Sequence, residues 1–335
     1  MAALPSQPEK ILIIHAGGIG DLLLALPAMR MFRRGFPRST LALVGRPERL
    51  SLVAFDLQAQ SISSIDQAGM AYFYAEGGPF PVGLSGFFSS FGVVLVFGKA
   101  SGSVLAENLK KAGAERVILL PSFPPEVSKI HAADYLVDSL KTSGIDGKNS
   151  FTPLRLPVEA MSFAGSFFGN LGWKKEGDRV LVIHPGSGSP TKNWRPENFA
   201  KVADGMSRRA KVLLISGPAN DGIEEVKRTL KKAEPFVVEN LPLPQLAALL
   251  QRSTAYLGND SGITHLAAAL GIPTVAILGP TDPSIWSPRG LGVQILYEKT
   301  SCSPCSSEAR SGCSRPCLER IEPNRVLEIL STLFK

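Results

Sequence analysis

The chain has 335 residues, more than one hydrophobic core usually supports, so two domains are expected. Its 44% hydrophobic and 19% charged residues, with Gly and Pro at the ends of apolar runs, are typical of a folded protein and exclude a disordered chain. The net charge of +7 suggests anionic partners, but nucleic acid is not expected, because no aromatic residues interleave with the arginines and no binding module is recognisable.

The first half of the chain predicts alternating strands and helices. Lys10–His15 has the pattern of a buried strand, and it runs through a Gly-rich turn into a helix with Leu22, Leu26 and Met29 near one face. Further strands are predicted at 40–44, 92–97 and 116–119, and helices near 101–112 and 128–142.

The second half repeats the pattern. Strands are predicted at 179–183, 211–215, 236–238, 255–257 and 274–278, and helices from 196, near 222–232, and at 243–250, 262–270 and 323–334. Two apolar stretches, 77–98 and 262–281, are long enough to cross a bilayer but are cut by Gly and Pro, so neither is predicted to span one. The first residues lack a basic segment before an apolar one, and a cytoplasmic protein is expected.

Alternation of this kind predicts parallel sheets with right-handed crossovers. Two such series predict an α/β chain of two Rossmann-like, doubly wound domains facing each other across a cleft. The Pro- and Gly-punctuated stretch 150–178 contains the boundary, giving domains 1–160 and 161–335, with the last helix able to return toward the first domain. Ligands of such sheets bind beyond the carboxyl ends of the strands, where the Gly-rich turns lie.

The first Gly-rich turn follows the first strand and carries Gly18, Gly20 and Asp21. The glycines allow close approach of a ligand to the backbone, although Asp21 has a second interpretation as a carboxylate that complements a helix N-terminus. The spacing is not G-x-G-x-x-G and no acidic residue ends the next strand, so a nicotinamide site is rejected.

Two segments of the second half suggest phosphate binding. The loop at 184–194 places Ser187 and Lys192 after a strand and before a helix, where N–H groups and a mobile cation favour an anion. The segment 257–265 then opens a helix with Asp260, Ser261 and Gly262, and His265 lies one turn from Ser261. Ordinary capping is the alternative interpretation.

Two clusters have open interpretations. The cysteines Cys302, Cys305, Cys313 and Cys317 have the C-x2-C-x7-C-x3-C spacing of a structural zinc site, with free thiols as the alternative. Six arginines at 30, 33, 34, 38, 46 and 49 form either a solvated face or a surface for phosphorylated glycolipid or anionic membrane.

Taken in order, these motifs resemble glycosyltransferase family 9, the lipopolysaccharide heptosyltransferases. The segments that carry the resemblance are 11–27, 184–187, 192–194, 258–265, 271–280 and 302–305. The resemblance implies a GT-B architecture, with the acceptor on the N-terminal domain and the nucleotide sugar on the C-terminal one. It also implies inverting transfer without a catalytic metal or cofactor.

The resemblance also assigns roles to residues. Asp21 matches the general base, and Gly18, Gly20 and His15 lie on the acceptor side. The donor-side positions are Ser187, Lys192, Asp260, Ser261, Gly262 and His265, with Asp221 as the acidic candidate for donor hydroxyls. His15 departs from the Lys or Arg usual in the family, so a pH-dependent charge is expected there.

The implied reaction moves heptose from ADP-heptose to a lipopolysaccharide core or lipid A acceptor. It places the enzyme in the cytoplasm, with peripheral contact at the anionic inner face of the inner membrane. A sugar-nucleotide epimerase on the same scaffold and a noncatalytic nucleotide-sugar-binding protein are the alternatives.

Overall fold

A computed structural model describes residues 7–98, 103–125, 127–147, 150–174, 177–217, 222–305 and 313–334. The chain divides into two compact units, Met1–Phe151 and Thr152–Lys335. Each unit contains one sheet in which every recorded strand pair is parallel.

The N-terminal unit has a five-stranded sheet in the order β3-β2-β1-β4-β5. Its elements are β1 (Lys10–His15), α1 (Ile19–Gly35), β2 (Thr40–Gly45), α2 (Pro47–Leu57), β3 (Ser61–Ser64), a 3-10 turn (Met70–Phe73), α3 (Val82–Ser89), β4 (Val93–Gly98), α4 (Ser103–Lys111), β5 (Arg116–Pro121) and α5 (Ala132–Thr142).

The central strand β1 explains why this sheet forms. Side chains of a strand alternate between the two faces of its sheet. Ile11 and Ile13 on one face, and Leu12 and Ile14 on the other, are all at most 1% exposed, so both faces are covered. Its predicted bounds are confirmed.

The C-terminal unit has a six-stranded sheet in the order β11-β10-β9-β6-β7-β8. Its elements are α6 (Val158–Asn170), β6 (Val180–His184), a 3-10 turn (Pro190–Lys192), α7 (Pro196–Met206), β7 (Lys211–Ser216), α8 (Ile223–Thr229), β8 (Phe236–Glu239), α9 (Leu243–Gln251), β9 (Ala255–Asn259), α10 (Gly262–Ala269), β10 (Thr274–Leu278), α11 (Pro283–Trp286), β11 (Val293–Tyr297), α12 (Pro316–Glu319) and α13 (Pro323–Leu333).

Helix α6 lies where the sequence pattern suggested only a punctuated boundary. Its buried residues Ala160, Ala164 and Phe168 recur every four positions, which is helical spacing, and they pack toward α9. Gly165 has a packing role, because a Cβ there would lie 3.2 Å from an Arg252 guanidinium nitrogen, and that guanidinium sits 5.5 Å from the centroid of the Phe168 ring. Gly165, which suggested a domain boundary in the sequence, therefore lies within a helix and leaves room for the Arg252 side chain.

The last helix, α13, belongs to the C-terminal unit. Its buried residues Val326 and Leu330 join the core cluster that contains Trp194 and Phe199, and the helix packs on α7. Its expected return toward the N-terminal domain stays a prediction. No helix among the residues described here has both the length and the apolar character needed to cross a bilayer.

In both sheets the strand order reverses next to the first strand of the unit. In the N-terminal unit the reversal lies between β1 and β4, and in the C-terminal unit between β6 and β9, which pair in parallel with His184 opposite Gly258. Ligands of doubly wound sheets bind at such a point, beyond the carboxyl ends of the strands. The predicted fold class of two Rossmann-like parallel-sheet units is confirmed.

Candidate functional site

The turn between β1 and α1 brings a histidine ring and a carboxylate to the same glycine. A Cβ on Gly17 would lie 2.9 Å from Cε1 of His15 and 3.0 Å from Cβ of Asp21, so only glycine allows this approach. The Gly18 N–H donates to Oδ2 of Asp21 at 2.9 Å, and Gly18 precedes the first residue of α1. Asp21 and Gly20 are both partly exposed.

His15 is held neutral at the end of β1. It is 4% exposed and packs edge-on against Phe97, with ring centroids 5.5 Å apart. Burial lowers its pKa to about 4, although the nearby Asp21 carboxylate acts in the opposite direction. In this structure His15 therefore changes charge in acid rather than near neutral pH, and its response to an acceptor phosphate or carboxylate stays a prediction.

Arg49 is a part of this turn that sequence reasoning missed. From α2, its guanidinium donates to the Gly17 carbonyl at 2.8 Å, across 32 positions of the chain. It was identified only as one member of an arginine cluster, because nothing in the local pattern distinguishes it from its neighbours.

The burial of His15 predicts a measurable loss of stability in acid. Its pKa in the folded protein, about 4, lies below the unfolded value near 6.5, so between these values only the unfolded chain takes up the proton. The contribution of His15 to the unfolding free energy should fall by about 3 kcal/mol as pH drops through this window, and should not change further below it. The His15→Gln variant should lack this component. Urea denaturation of both proteins from pH 7.5 to 4 measures the difference, and parallel curves would contradict the assignment.

In the C-terminal unit, Asn259 pins both ends of the loop that follows β6. Its side-chain oxygen accepts the Trp194 N–H at 2.9 Å, and its amide donates to the Pro185 carbonyl at 2.5 Å. Asn259 is fully buried at the end of β9. Trp194, which sequence reasoning grouped with the polar loop, is 1% exposed and donates through Nε1 to the Ile321 carbonyl at 3.0 Å, so it anchors the loop to the core.

Asn259→Ala should reduce the unfolding free energy by about 2–4 kcal/mol, because it orphans a buried N–H and a buried carbonyl. Asn170→Ala, at the exposed end of α6, is the matched control and should change it by less than about 0.5 kcal/mol. Urea denaturation of the two variants and the parent protein provides the comparison. Equal stability of the two variants would show that the hydrogen bonds of Asn259 to the two ends of the loop are not needed to stabilise the fold.

Lys192 is held against Asp260 at the same end of the sheet. Its ammonium lies 2.8 Å from Oδ2 of Asp260, which is 6% exposed and also accepts a hydrogen bond from the Thr281 hydroxyl. Burial alone opposes ionisation of Asp260, but the charge of Lys192 and the two hydrogen bonds outweigh it and hold its pKa below the usual value. The pair is thus a charged Lys–Asp pair, and two of the three ammonium N–H groups of Lys192 are not needed for it.

Ser261 and Ser187 mainly serve their own segments. The Ser261 hydroxyl caps α10 by accepting the Thr264 N–H at 3.3 Å, and it lies 3.4 Å from Nδ1 of His184. The Ser187 hydroxyl lies 2.6 Å from Oδ1 of Asn193 and 2.7 Å from the Ser189 carbonyl. These two hydroxyls therefore stabilise the loops that the sequence predicts to bind phosphate.

Gly262 begins α10, and His265 lies in its first turns at 7% exposure. Under this helix, Tyr256 hydrogen-bonds Thr264 at 3.0 Å, and a Cβ on Gly258 would meet the Tyr256 hydroxyl at 2.3 Å. The glycine of the motif thus makes room for a buried phenol, whose pKa is raised by burial. Asp221 lies outside the described residues.

The four cysteines do not assemble into a metal-ligand group among the described residues. All four are free thiols, with Cys317 buried in the core and Cys302 exposed. Burial, followed by the neighbouring cysteines, raises the pKa of Cys305 above its usual value. Among the described residues, the cysteines do not form the zinc site that their spacing predicted.

Comparisons with known proteins identify the family. The model of glycosyltransferase family 9 (heptosyltransferase) matches residues 108–313. Lipooligosaccharide heptosyltransferase 2 of Campylobacter jejuni is 28% identical over 196 residues, which are 56% of this chain and 59% of that protein, so the match spans little more than half of the relative.

Two solved structures share the fold along nearly the whole chain. The family 9 glycosyltransferase of Veillonella parvula has a TM-score of 0.80 at 20% identity, covering 99% of both chains. The ADP-heptose lipopolysaccharide heptosyltransferase II of Escherichia coli has a TM-score of 0.72 at 18% identity, covering 97% of this chain and 98% of that one. The likeness to these structures confirms the GT-B fold class, and the chain belongs to glycosyltransferase family 9.

Proposed function

We propose that the protein is an inverting glycosyltransferase that transfers heptose from ADP-heptose to the core or lipid A region of a lipopolysaccharide acceptor. The observation that carries the proposal is the Lys192–Asp260 pair at the carboxyl ends of β6 and β9, beside the first residue of α10. A fixed cation and a helix N-terminus at a switch point suit a diphosphate. The name of the Escherichia coli neighbour, which includes ADP-heptose, supports the choice of donor.

In the proposed reaction, Asp21 is the general base. Its Oδ2 accepts the Gly18 N–H, so Oδ1 is the oxygen assigned to the acceptor proton. As the acceptor hydroxyl loses that proton to Asp21, its oxygen attacks the anomeric carbon from the face opposite the diphosphate. The new C–O bond forms as the bond to the diphosphate breaks, which inverts the configuration at this carbon.

The departing diphosphate is the group that Lys192 would stabilise. Carboxylates are weak bases near neutral pH. Much of the acceleration must therefore come from positioning of the substrates and from stabilisation of the negative charge that develops on the leaving group. Lys192 is oriented by Asp260, and the N–H groups at the start of α10 add partial positive charge. His265 and Ser187 complete the proposed donor side, and the N-terminal unit binds the acceptor.

Transfer is proposed to need no metal, since the leaving group has a protein cation. The lipid acceptor places the reaction at the cytoplasmic face of the inner membrane. The test incubates the purified protein with ADP-heptose and a heptose-deficient core lipid, with and without EDTA. Mass spectrometry detects the added heptose and NMR assigns the anomeric configuration.

Three outcomes would separate the proposal from its alternatives. Conversion of the donor without acceptor would indicate an epimerase, and donor binding without any product would indicate a noncatalytic protein. Loss of transfer in EDTA would overturn the metal-independent mechanism. Vesicle flotation with anionic lipids tests the membrane location separately.

A further inference from the structure

The turn that carries Lys192 is too short to hold itself in place. It is a 3-10 turn of three residues, Pro190–Lys192. Its backbone bonds run from the Lys192 N–H to the Ser189 carbonyl at 3.0 Å and from the Asn193 N–H to the Pro190 carbonyl at 3.2 Å. Hydrogen bonds of 3-10 turns have poorer geometry than those of α-helices. The Lys192 ammonium therefore keeps its position only if other parts of the chain hold this turn.

The guanidinium of Arg315 holds the turn on both sides of Lys192. Its Nη1 donates to the Pro190 carbonyl at 3.1 Å and to the Asn193 carbonyl at 3.0 Å, across 125 and 122 positions of the chain. The Pro190 carbonyl is the same one that accepts the Asn193 N–H at the end of the turn. Carbonyl groups at the C-terminal end of a helical turn carry partial negative charge, so a cation suits this end.

The direction of the Arg315 side chain is set by its backbone and by the core. Its φ of 60° and ψ of 49° lie in the left-handed region, which residues other than glycine rarely adopt and which persists where the surroundings determine it. The Arg315 N–H donates to Sγ of Cys313 at 3.3 Å. Helix α12 follows directly, and its Cys317 and Leu318 are 3% and 2% exposed in the core of the C-terminal unit. The buried helix thus fixes the point from which the guanidinium reaches the turn.

Other contacts join the same two segments without touching the turn carbonyls. Nε of Arg195 lies 2.6 Å from Oε1 of Glu319, at the last position of α12, and the Arg195 side chain is exposed. The Trp194 indole donates to the Ile321 carbonyl at 3.0 Å. The end of the loop is therefore attached to this part of the chain independently of Arg315. What Arg315 adds is a contact with the turn itself.

We propose that Arg315 is a positioning residue for sugar transfer, which fixes the turn so that the Lys192 ammonium stays where the donor diphosphate needs it. The inference rests on the proposed function, because Lys192 is the cation assigned to that diphosphate. Arg315 acts through Lys192 and does not touch the donor. A cation that is ordered beforehand need not be ordered when the diphosphate binds or departs, and this lowers the cost of both steps.

The test measures initial rates with ADP-heptose and heptose-deficient core lipid, and ADP affinity by calorimetry. Arg315→Met keeps much of the side-chain volume but has no donor. It should lower kcat/KM for the nucleotide sugar about tenfold and weaken ADP binding about threefold to tenfold, with the acceptor KM changed less than about twofold.

Two further variants show whether the carbonyl contacts are the cause. One nitrogen of Arg315 makes both hydrogen bonds, and a lysine ammonium also has donors for two carbonyls. Arg315→Lys should therefore recover both quantities to within about threefold of the parent protein. Arg195→Met, the matched control, removes an arginine that joins the same segments away from the turn, and it should match the parent protein.

A double-mutant cycle separates positioning from a general effect on folding. The second background is Lys192→Ala/Asp260→Asn, because Lys192→Ala alone would leave the buried Asp260 carboxylate without its cation. In this background Arg315→Met should change kcat/KM and ADP affinity less than about twofold, since the group it positions is gone. A purely structural contribution would cost the same in both backgrounds. Urea denaturation checks that each variant is folded, and Arg315→Gln takes the place of Arg315→Met if that variant is not.

An unchanged donor kcat/KM in Arg315→Met, an equal loss in Arg195→Met, no recovery in Arg315→Lys, or equal losses in the two backgrounds would overturn the inference. ADP binding separates it from the proposed function. If the parent protein transfers nothing, but Arg315→Met weakens ADP binding only when Lys192 is present, the positioning role stands and the transferase assignment fails. If transfer occurs and the losses are equal in both backgrounds, the transferase assignment stands and the positioning role fails.

Discussion

Asp21→Asn should lower the rate of sugar transfer by a factor of about 10² to 10⁴, while the affinity for the nucleotide sugar stays the same. The amide oxygen of Asn can still accept the Gly18 N–H, which lies 2.9 Å from the carboxylate in the parent protein, so the turn should persist. The amide cannot take the proton of the acceptor hydroxyl. The expected loss is therefore in kcat, with little change in either KM.

The matched control is Glu48→Gln, which makes the same charge change in the first turn of α2 at an exposed position. Initial rates at saturating substrates, with donor affinity from calorimetry, compare the two variants. Full turnover in Asp21→Asn would remove Asp21 from the role of base. Equal losses of kcat in both variants would show that the change in net charge of the N-terminal unit, rather than the loss of a proton acceptor, causes the effect.

Sequence patterns were sufficient for the central strands and for the location of the strand-end segments. β1 and β6 contain continuous apolar runs buried on both faces, and such runs are recognisable without tertiary information. Two of the four edge strands, β3 and β11, were not predicted, whereas β5 and β8 were. β3 has the sequence Ser-Ile-Ser-Ser, with no apolar run, and Gln294 interrupts the apolar residues of β11.

The contacts that organise the candidate sites could not be predicted, because they join distant parts of the chain. Asn259 is hydrogen-bonded to Trp194 and Pro185, which lie 65 and 74 positions away in the sequence. In the sequence it was only part of the segment 257–265, whose two interpretations were phosphate binding and helix capping. In the same way, Arg49 meets the Gly17 carbonyl only through the fold, because nothing in its basic stretch distinguishes it from its neighbours. The motifs thus locate the segments, and the packing decides what each side chain in a segment contacts.

Lys192→Ala should lower kcat/KM for the donor by about 10² to 10³, because the diphosphate would lose its cation as negative charge develops on it. The same change orphans Asp260, a carboxylate that is 6% exposed, so some loss of stability is also expected. Removal of Lys192 should raise the pKa of Asp260, since the lysine is a principal cause of its depression. A loss of activity alone would therefore not distinguish chemistry from folding.

The double variant Lys192→Ala/Asp260→Asn separates these two effects. Without the unpaired carboxylate its Tm should return toward that of the parent protein, whereas its donor kcat/KM should remain low because the cation is still missing. Lys201→Ala, at an exposed position of α7, should match the parent protein in both measurements. If the double variant recovers activity together with stability, Lys192 serves only to neutralise Asp260. If activity stays low in a fully folded protein, the ammonium acts on the donor itself, and the pair at the ends of β6 and β9 is the diphosphate site.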